Sequence, residues 1–482
     1  YTLQGQKAGY QGVLSVGRVQ TPLLGLVVRR DKEIASFVSK PFYQVLAELE
    51  TADQQRFSAL WQPSPACAPW QDEEGRVLLK ALAEKVQQKI CQQAAVVSKL
   101  EHKAGEQPPP LPYNLSALQI DAAKRYGMTA QQVLDNCQQL YEKHKLITYP
   151  RSDSRYLPKE QLQQAAAVCQ AIATNDTELA DAAQQADTTR RSRAWNDAKV
   201  EAHHAIIPTE KRQPLARLSL AEQRLYQLIA RQYLAQFYPP FCYNDTRVEV
   251  TIAGGCFVAK ARMARSAGWK SLFRQDDKQN MALDSAEQTQ QLSSLPQLKQ
   301  GQILQCIDAQ VLEKQTRPPQ AFTDATLLAA MTGISRYVTD DTVRKILRDT
   351  DGLGTEATRA GIIELLFKRG FLQRSGKQIQ ATATGTALIN ALPAEAVLPD
   401  MTARWEAALN AICQRQQSYQ AFMQPLVQQL HQLVNTAATV LPSGLPQGQK
   451  PRWRTKKPAT TAKNAKGNYR RKVANSAAGK RN

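Results

Sequence analysis

The sequence predicts a mixed α+β chain of several domains, on three observations. Its 482 residues are several times the length of one compact core. Stretches of period-two alternation and stretches of helical spacing both occur, and each kind returns more than once. Proline clusters, Pro108-Pro109-Pro110 with Pro112 and then Arg317-Pro318-Pro319, separate them, because proline neither continues a helix nor donates to a β ladder.

In chain order, Leu14 to Val38 combines a glycine-containing turn with a helical stretch, and Phe42 to Leu49 follows as a strand. Beyond the first proline cluster, Ser116 to Tyr126 reads as a helix stopped by Gly127. Thr129 and Gln132 make a capping box for a second helix, whose Val133, Leu134, Cys137, Leu140 and Tyr141 recur at helical spacing. The pair resembles a helix-turn-helix and runs into Leu146-Ile147-Thr148-Tyr149, short, apolar and β-prone. Alternation returns from Val248 to Phe273 and from Ile303 to Leu312, predicting antiparallel strands that rejoin the earlier sheet. A polar loop, Asp276 to Gln300, lies between them. Four helices are predicted after Pro319: Thr323 to Thr332, Asp341 to Arg348, Glu356 to Arg369, and Thr402 to about Thr436. Gly370 ends the third, and Phe371 to Thr382 reads as a hairpin around Ser375-Gly376, a winged-helix outline.

Charge narrows the partner. Lys plus Arg number 62 against 42 Asp plus Glu, a net +20, and the segment from Lys450 to Asn482 carries twelve basic residues and no acid. So few apolar residues cannot fold alone, and so much charge favours a polyanion through counterion release. Nucleic acid is the natural partner, with a solubilising tail or a membrane-surface binder left open on charge alone. No apolar run reaches the ~20 residues that span a bilayer and no signal-type segment opens the chain, so a cytoplasmic location is expected. Eight scattered cysteines include no Cys-x-x-Cys pair, which favours reduced thiols over a zinc ribbon. The first residues, Tyr1-Thr2-Leu3-Gln4-Gly5, read as the middle of a segment.

The sharpest chemical feature is Ile147 to Leu157, which contains Tyr149-Pro150-Arg151-Ser152-Asp153. Proline after Tyr149 biases that residue toward extended backbone. A phenol, with a pKa near ~10, attacks phosphorus well only where cations favour the phenolate and the developing phosphate charge. Arg151 supplies such a cation in bidentate form. On chemistry alone a half-buried strand aromatic beside a surface charge remains the plainer reading.

Further strings change that weight. The segment Thr148 to Leu157 resembles the active-site signature of type IA DNA topoisomerases, and its Tyr-Pro-Arg-Ser-Asp form is closest to the bacterial topoisomerase III branch. Ser15-Val16-Gly17-Arg18-Val19-Gln20-Thr21-Pro22 resembles the start of that family's helical gate domain. Ala202-His203-His204-Ala205-Ile206-Ile207-Pro208-Thr209 resembles its active-site histidine segment, and Asp351 to Arg359 its DNA-groove segment. All four occur in family order, and the likeness spans residues 1 to about 440.

The resemblance implies a toroid of three parts: a helical gate (1–36 and 322–440), an antiparallel β arch (37–107 and 212–321) and a winged-helix-like tyrosine domain (108–211), before a basic tail (441–482). It implies an ATP-independent isomerase that breaks, passes and rejoins single DNA strands through a 5′-phosphotyrosine, relaxing and decatenating DNA as a nucleoid-associated monomer. No phosphate-binding Gly-x-x-x-x-Gly-Lys-Ser/Thr loop is present. Carried over by residue, Tyr149 is the nucleophile, Arg151 stabilises the scissile phosphate and His203 bonds a neighbouring phosphate. Ser15, Arg18, Gln20, His204, Gly354, Thr355, Thr358 and Arg359 are expected to contact single-stranded DNA. An N-capped helix explains the Thr355 region as well.

The family also implies magnesium, held by carboxylates of an N-terminal Toprim domain that has no counterpart here, so no metal ligand is assigned. The expectation is therefore either a topoisomerase of reduced activity or a fragment that grips single strands. A winged-helix regulator is the third reading, on outline alone.

Overall fold

The computed structural model describes residues 1–273, 295–338, 341, 343–345, 352–439 and 442–447. The predicted helix Asp341 to Arg348 lies mostly outside them, as do most of the loop Asp276 to Gln300 and the whole tail from Lys450. The chain opens on helices α1 (Thr2–Lys7) and α2 (Gln20–Ala35). Strands β1 (Pro41–Glu50) and β2 (Arg56–Gln62), helix α3 (Lys80–Ile90) and strand β3 (Ala94–Gln107) follow. Much later come β4 (Phe241–Ile252), β5 (Gly255–Ser266) and β6 (Ile303–Gln315). The six strands close an antiparallel barrel in the order β1-β2-β5-β4-β3-β6, so late strands do rejoin early ones. Period-two alternation explains its filling: Val45, Ala47 and Leu49 of β1 face inward with Phe57, Val97, Val250 and Phe257, while α3 adds Ala83 and Ile90.

Strand register decides the architecture. Pro41 pairs with Gln315, so both halves of the gate leave the barrel side by side at that end. Glu50 and Ala94 both pair with Gln305, so β3 takes up where β1 stops and continues in the same direction to Gln107, which pairs with Phe241. The tyrosine domain is thus inserted between β3 and β4 at the far end, on the order of 70 Å along the strand path at ~3.3 Å per residue. Gate and tyrosine domain nevertheless share one apolar core, containing Leu23, Leu115, Leu118, Leu327 and Leu328 together. Two bodies hung from opposite ends of a barrel and packed on each other close a ring.

Within the tyrosine domain, α4 (Leu115–Tyr126) is capped by Asn114 and ends at left-handed Gly127. The capping box of α5 (Ala130–Glu142) forms as expected, with Val133, Leu134, Cys137 and Leu140 buried and Tyr141 half-buried. Helices α6 (Ala165–Asn175) and α7 (Ala180–Gln184) complete the first part. Helix α8 (Leu220–Leu234) follows the boundary expected at residue 212: its Leu225, Tyr226, Leu228, Ile229 and Tyr233 pack into the large core that also holds Leu115 and Leu118, and the next barrel strand begins at Phe241. A correction concerns the strand expected at Leu146 to Tyr149. Only isolated bridges form, Ile147 to Pro208 and Tyr113 to Ile206.

The gate's second half holds α9 (Asp324–Thr332), α10 (Glu356–Lys368), the hairpin β7 (Leu372–Ser375) and β8 (Gln378–Ala381), α11 (Ala383–Ala391) and α12 (Ala394–Val397). The single helix expected from Thr402 to Thr436 is two, α13 (Asp400–Cys413) and α14 (Tyr419–Thr439). Arg415 adopts φ 60° and the Gln416 N–H returns to the Ala411 carbonyl at 2.8 Å, a helix-ending closure that no glycine announces. Among the described residues no helix is long and apolar enough to cross a membrane.

Candidate active site

Tyr149 lies on a loop tied down from both sides. Upstream, the Thr148 N–H donates to the Ile207 carbonyl at 2.9 Å, and the Thr148 hydroxyl accepts from the Ile207 N–H at 3.0 Å. Downstream, fully buried Ser152 donates its hydroxyl to the His204 carbonyl at 2.7 Å, and its own carbonyl accepts from the Leu115 N–H at 3.0 Å. The loop between is thereby held in place while Tyr149 remains 39% exposed. That ring stacks on His203, centroids 4.9 Å apart at 23°, and meets the edge of Tyr141 at 5.8 Å. His203 Nδ1 faces the Asp153 carboxylate at 3.9 Å.

The tyrosine and histidine segments, remote from each other along the chain, thus form one surface. Arg151 stands at its rim, donating to the Gln138 side chain of α5 at 3.2 Å, and among the described residues no carboxylate pairs with it. Arg155 plays another part. It donates to the carbonyls of Leu111 and Pro112 at 2.8 and 2.9 Å, and burial pulls its guanidinium pKa below the ordinary value. It pins the proline linker that joins arch to tyrosine domain.

His204, expected on DNA, is turned inward. Its Nε2 lies 2.9 Å from the Gln161 side-chain amide and its Nδ1 2.8 Å from the Ala205 carbonyl. The Gln161 amide thus faces one ring nitrogen and the Ala205 carbonyl the other. Both ring nitrogens are therefore committed to the protein.

On the gate side, the segments Ser15 to Gln20 and Gly352 to Arg359 meet: a Cβ built on Gly354 would touch Val19 at 3.2 Å and Thr358 at 3.5 Å. Gln20 opens α2, and half-buried Ser15 has no partner for its hydroxyl among the described residues. Arg18, half exposed, pairs with Glu406 of α13. Thr355 and Thr358 remain exposed while sharing a hydroxyl contact of 3.1 Å in the cap of α10. Arg359 is placed differently from its neighbours in this segment. It is 1% exposed and bonded to Glu356 at 2.7 Å and to the Ser116 hydroxyl at 2.8 Å, so it faces the tyrosine domain. Its partners, together with Asn114 and Ser152, were missed by sequence reasoning, because a Glu and an Arg three apart read as an ordinary surface pair.

Comparison with known proteins places this geometry. Full-length topoisomerase I from Thermotoga maritima has the same fold, with a TM-score of 0.65 at 19% identity over 91% of this chain and 67% of that one. The family model of DNA topoisomerases matches residues 2–424. DNA topoisomerase 3 of Vibrio cholerae is 56% identical over 437 residues, covering 90% of this chain and 66% of the relative. That of Pasteurella multocida is 51% identical over 477 residues, covering 96% and 72%. The fold and these matches define a type IA DNA topoisomerase. More narrowly, the chain belongs to the bacterial topoisomerase III branch, and it spans about two thirds of the length of these curated relatives.

Proposed function

We propose that this chain supplies the strand-breaking tyrosine, the gate and the arch of a DNA topoisomerase acting on single-stranded DNA. The observation that carries the reading is Tyr149, exposed and stacked on His203 on a loop hydrogen-bonded at both ends. In the proposed reaction the phenol oxygen bonds to a backbone phosphorus as the P–O3′ bond breaks. The phenol's proton ends on the departing oxygen, leaving a 5′-phosphotyrosine and a free 3′ hydroxyl. One phosphodiester is exchanged for another, so resealing is the reverse step and needs no nucleotide.

Arg151 exchanges Gln138 for phosphate oxygens, a stronger charge-assisted contact. His203 holds a neighbouring phosphate, with Asp153 facing its other ring nitrogen. Ser15, Arg18, Gln20, Gly354, Thr355 and Thr358 line the path of the strand, and Arg18 reaches phosphate by leaving Glu406. Parting of gate and tyrosine domain opens the ring for a second strand, the step that relaxation and decatenation share. Magnesium, which the family implies, has no fitting seat among the described residues, where no three His, Cys, Asp or Glu side chains converge. No step is derived through it.

The test mixes the chain with a 3′-end-labelled single-stranded oligonucleotide, quenches with SDS and looks for label at protein size. A covalent band is expected. Binding without a band would overturn strand breaking by this chain and leave a single-strand grip.

A further inference from the structure

Glu356 and Arg359 are buried to 6% and 1% exposure at the boundary between the gate helix α10 and the tyrosine domain. Buried charge at a domain boundary is disfavoured unless every lone pair and proton is used. Here the bonds cross the boundary. The Ser116 N–H, in the first turn of α4, donates to Glu356 at 2.6 Å. Arg359 donates to the Ser116 hydroxyl at 2.8 Å, and the Asn114 side-chain amide donates to Glu356 at 3.2 Å. That same Asn114 amide also donates to the Asp153 carbonyl at 3.2 Å, and its side-chain oxygen caps α4.

Two consequences follow. Asn114 ties the loop that follows Tyr149 to a carboxylate of the gate, just beyond the groove glycine Gly354. The ion pair itself lies within α10, so parting the domains breaks hydrogen bonds but strands no lone charge, which keeps the junction reversible.

We propose that Asn114, Glu356 and Arg359 are positioning residues that couple the gate helix to the nucleophile loop, holding Tyr149 in register with the groove segment while the ring is closed. This rests on the strand-breaking reading above.

The test is hydrogen–deuterium exchange on the full chain, comparing wild type with Glu356→Gln and Asn114→Ser. Serine keeps the helix cap while deleting both side-chain N–H bonds, so the second variant is expected to fold normally. Exchange is expected to rise about tenfold in residues 110–118 and, together with them, in 148–155, as loss of a hydrogen bond of ordinary worth implies. Barrel residues 241–266, the melting temperature of Asn114→Ser and its affinity for a fluorescent oligothymidylate are expected to stay at wild-type values. A rise confined to 110–118 would overturn the proposal, as would an even rise that includes the barrel. Failure of wild type to bind the oligothymidylate would instead overturn the reading beneath it.

Discussion

At Gly352 the backbone takes φ 82°, and a Cβ there would lie 2.5 Å from the Met331 carbonyl oxygen and 2.9 Å from that of Thr332. Only glycine meets both demands. Gly352→Ala is therefore expected to destabilise the gate by about 1–3 kcal/mol or more, read as a lower urea midpoint with unchanged slope. His203→Ala removes the ring stacked on Tyr149 and is expected to weaken adduct formation more than oligonucleotide binding, measured side by side by gel and by anisotropy. Equal losses in both would make His203 a simple binding residue. Single residues were legible here where their chemistry is local. Gly127 announces its helix end, whereas the run Tyr149-Pro150-Arg151 stands out by its resemblance to a family signature rather than by its chemistry. The fates of Arg359 and His204 were not legible, because each is decided by what packs on it from a distant segment: Ser116 for one, Gln161 for the other.

Elements follow the same division. The Thr129 and Gln132 capping box forms because both partners sit within one turn, with Thr129 N–H donating to Gln132 at 2.9 Å. Thr129→Ala is expected to destabilise the domain by about 1 kcal/mol in urea unfolding. The strand expected before Tyr149 shrinks to bridges, since the segment opposite, Ala205 to Pro208, meets it at few positions. The break at Arg415 carries no glycine or proline to mark it. Helix α8 lies wholly past the boundary expected at residue 212, and Ser219 and Glu222 cap it reciprocally, a start signal that the sequence does carry. Arg155 ties the tyrosine loop to the proline linker. Arg155→Met is expected to free the linker Pro108 to Pro112, raising exchange there while leaving Thr129-dependent stability of α5 untouched.

At the scale of the molecule, the ring follows from register: strands that continue one another carry the gate and the tyrosine domain from opposite ends of one barrel, and a shared core joins them again. Alternation in the sequence foretold strands but not their closure into a barrel, which depends on pairings between residues far apart along the chain, such as Pro41 with Gln315. Buried thiols report on the integrity of the shared core. Burial pushes Cys137 and Cys169 up to about 12 from an ordinary 9.0. Their contribution to stability is thus complete below pH 9 and is lost as pH rises toward about 12, where the unfolded chain ionises first. At pH 8 iodoacetamide is expected to label exposed Cys413 and to spare both, as peptide mass spectrometry will read. Removing residues 450–482 is expected to flatten the salt dependence of oligonucleotide binding, by about 0.7 in logarithmic slope for each phosphate that the tail neutralises. The most direct test of the account is to trap the adduct, trim its DNA with nuclease and ask which of the fifteen tyrosines carries the nucleotide mass. The account predicts Tyr149 alone, with no adduct in Tyr149→Phe; nucleotide on another tyrosine, or a band that survives the substitution, would contradict it.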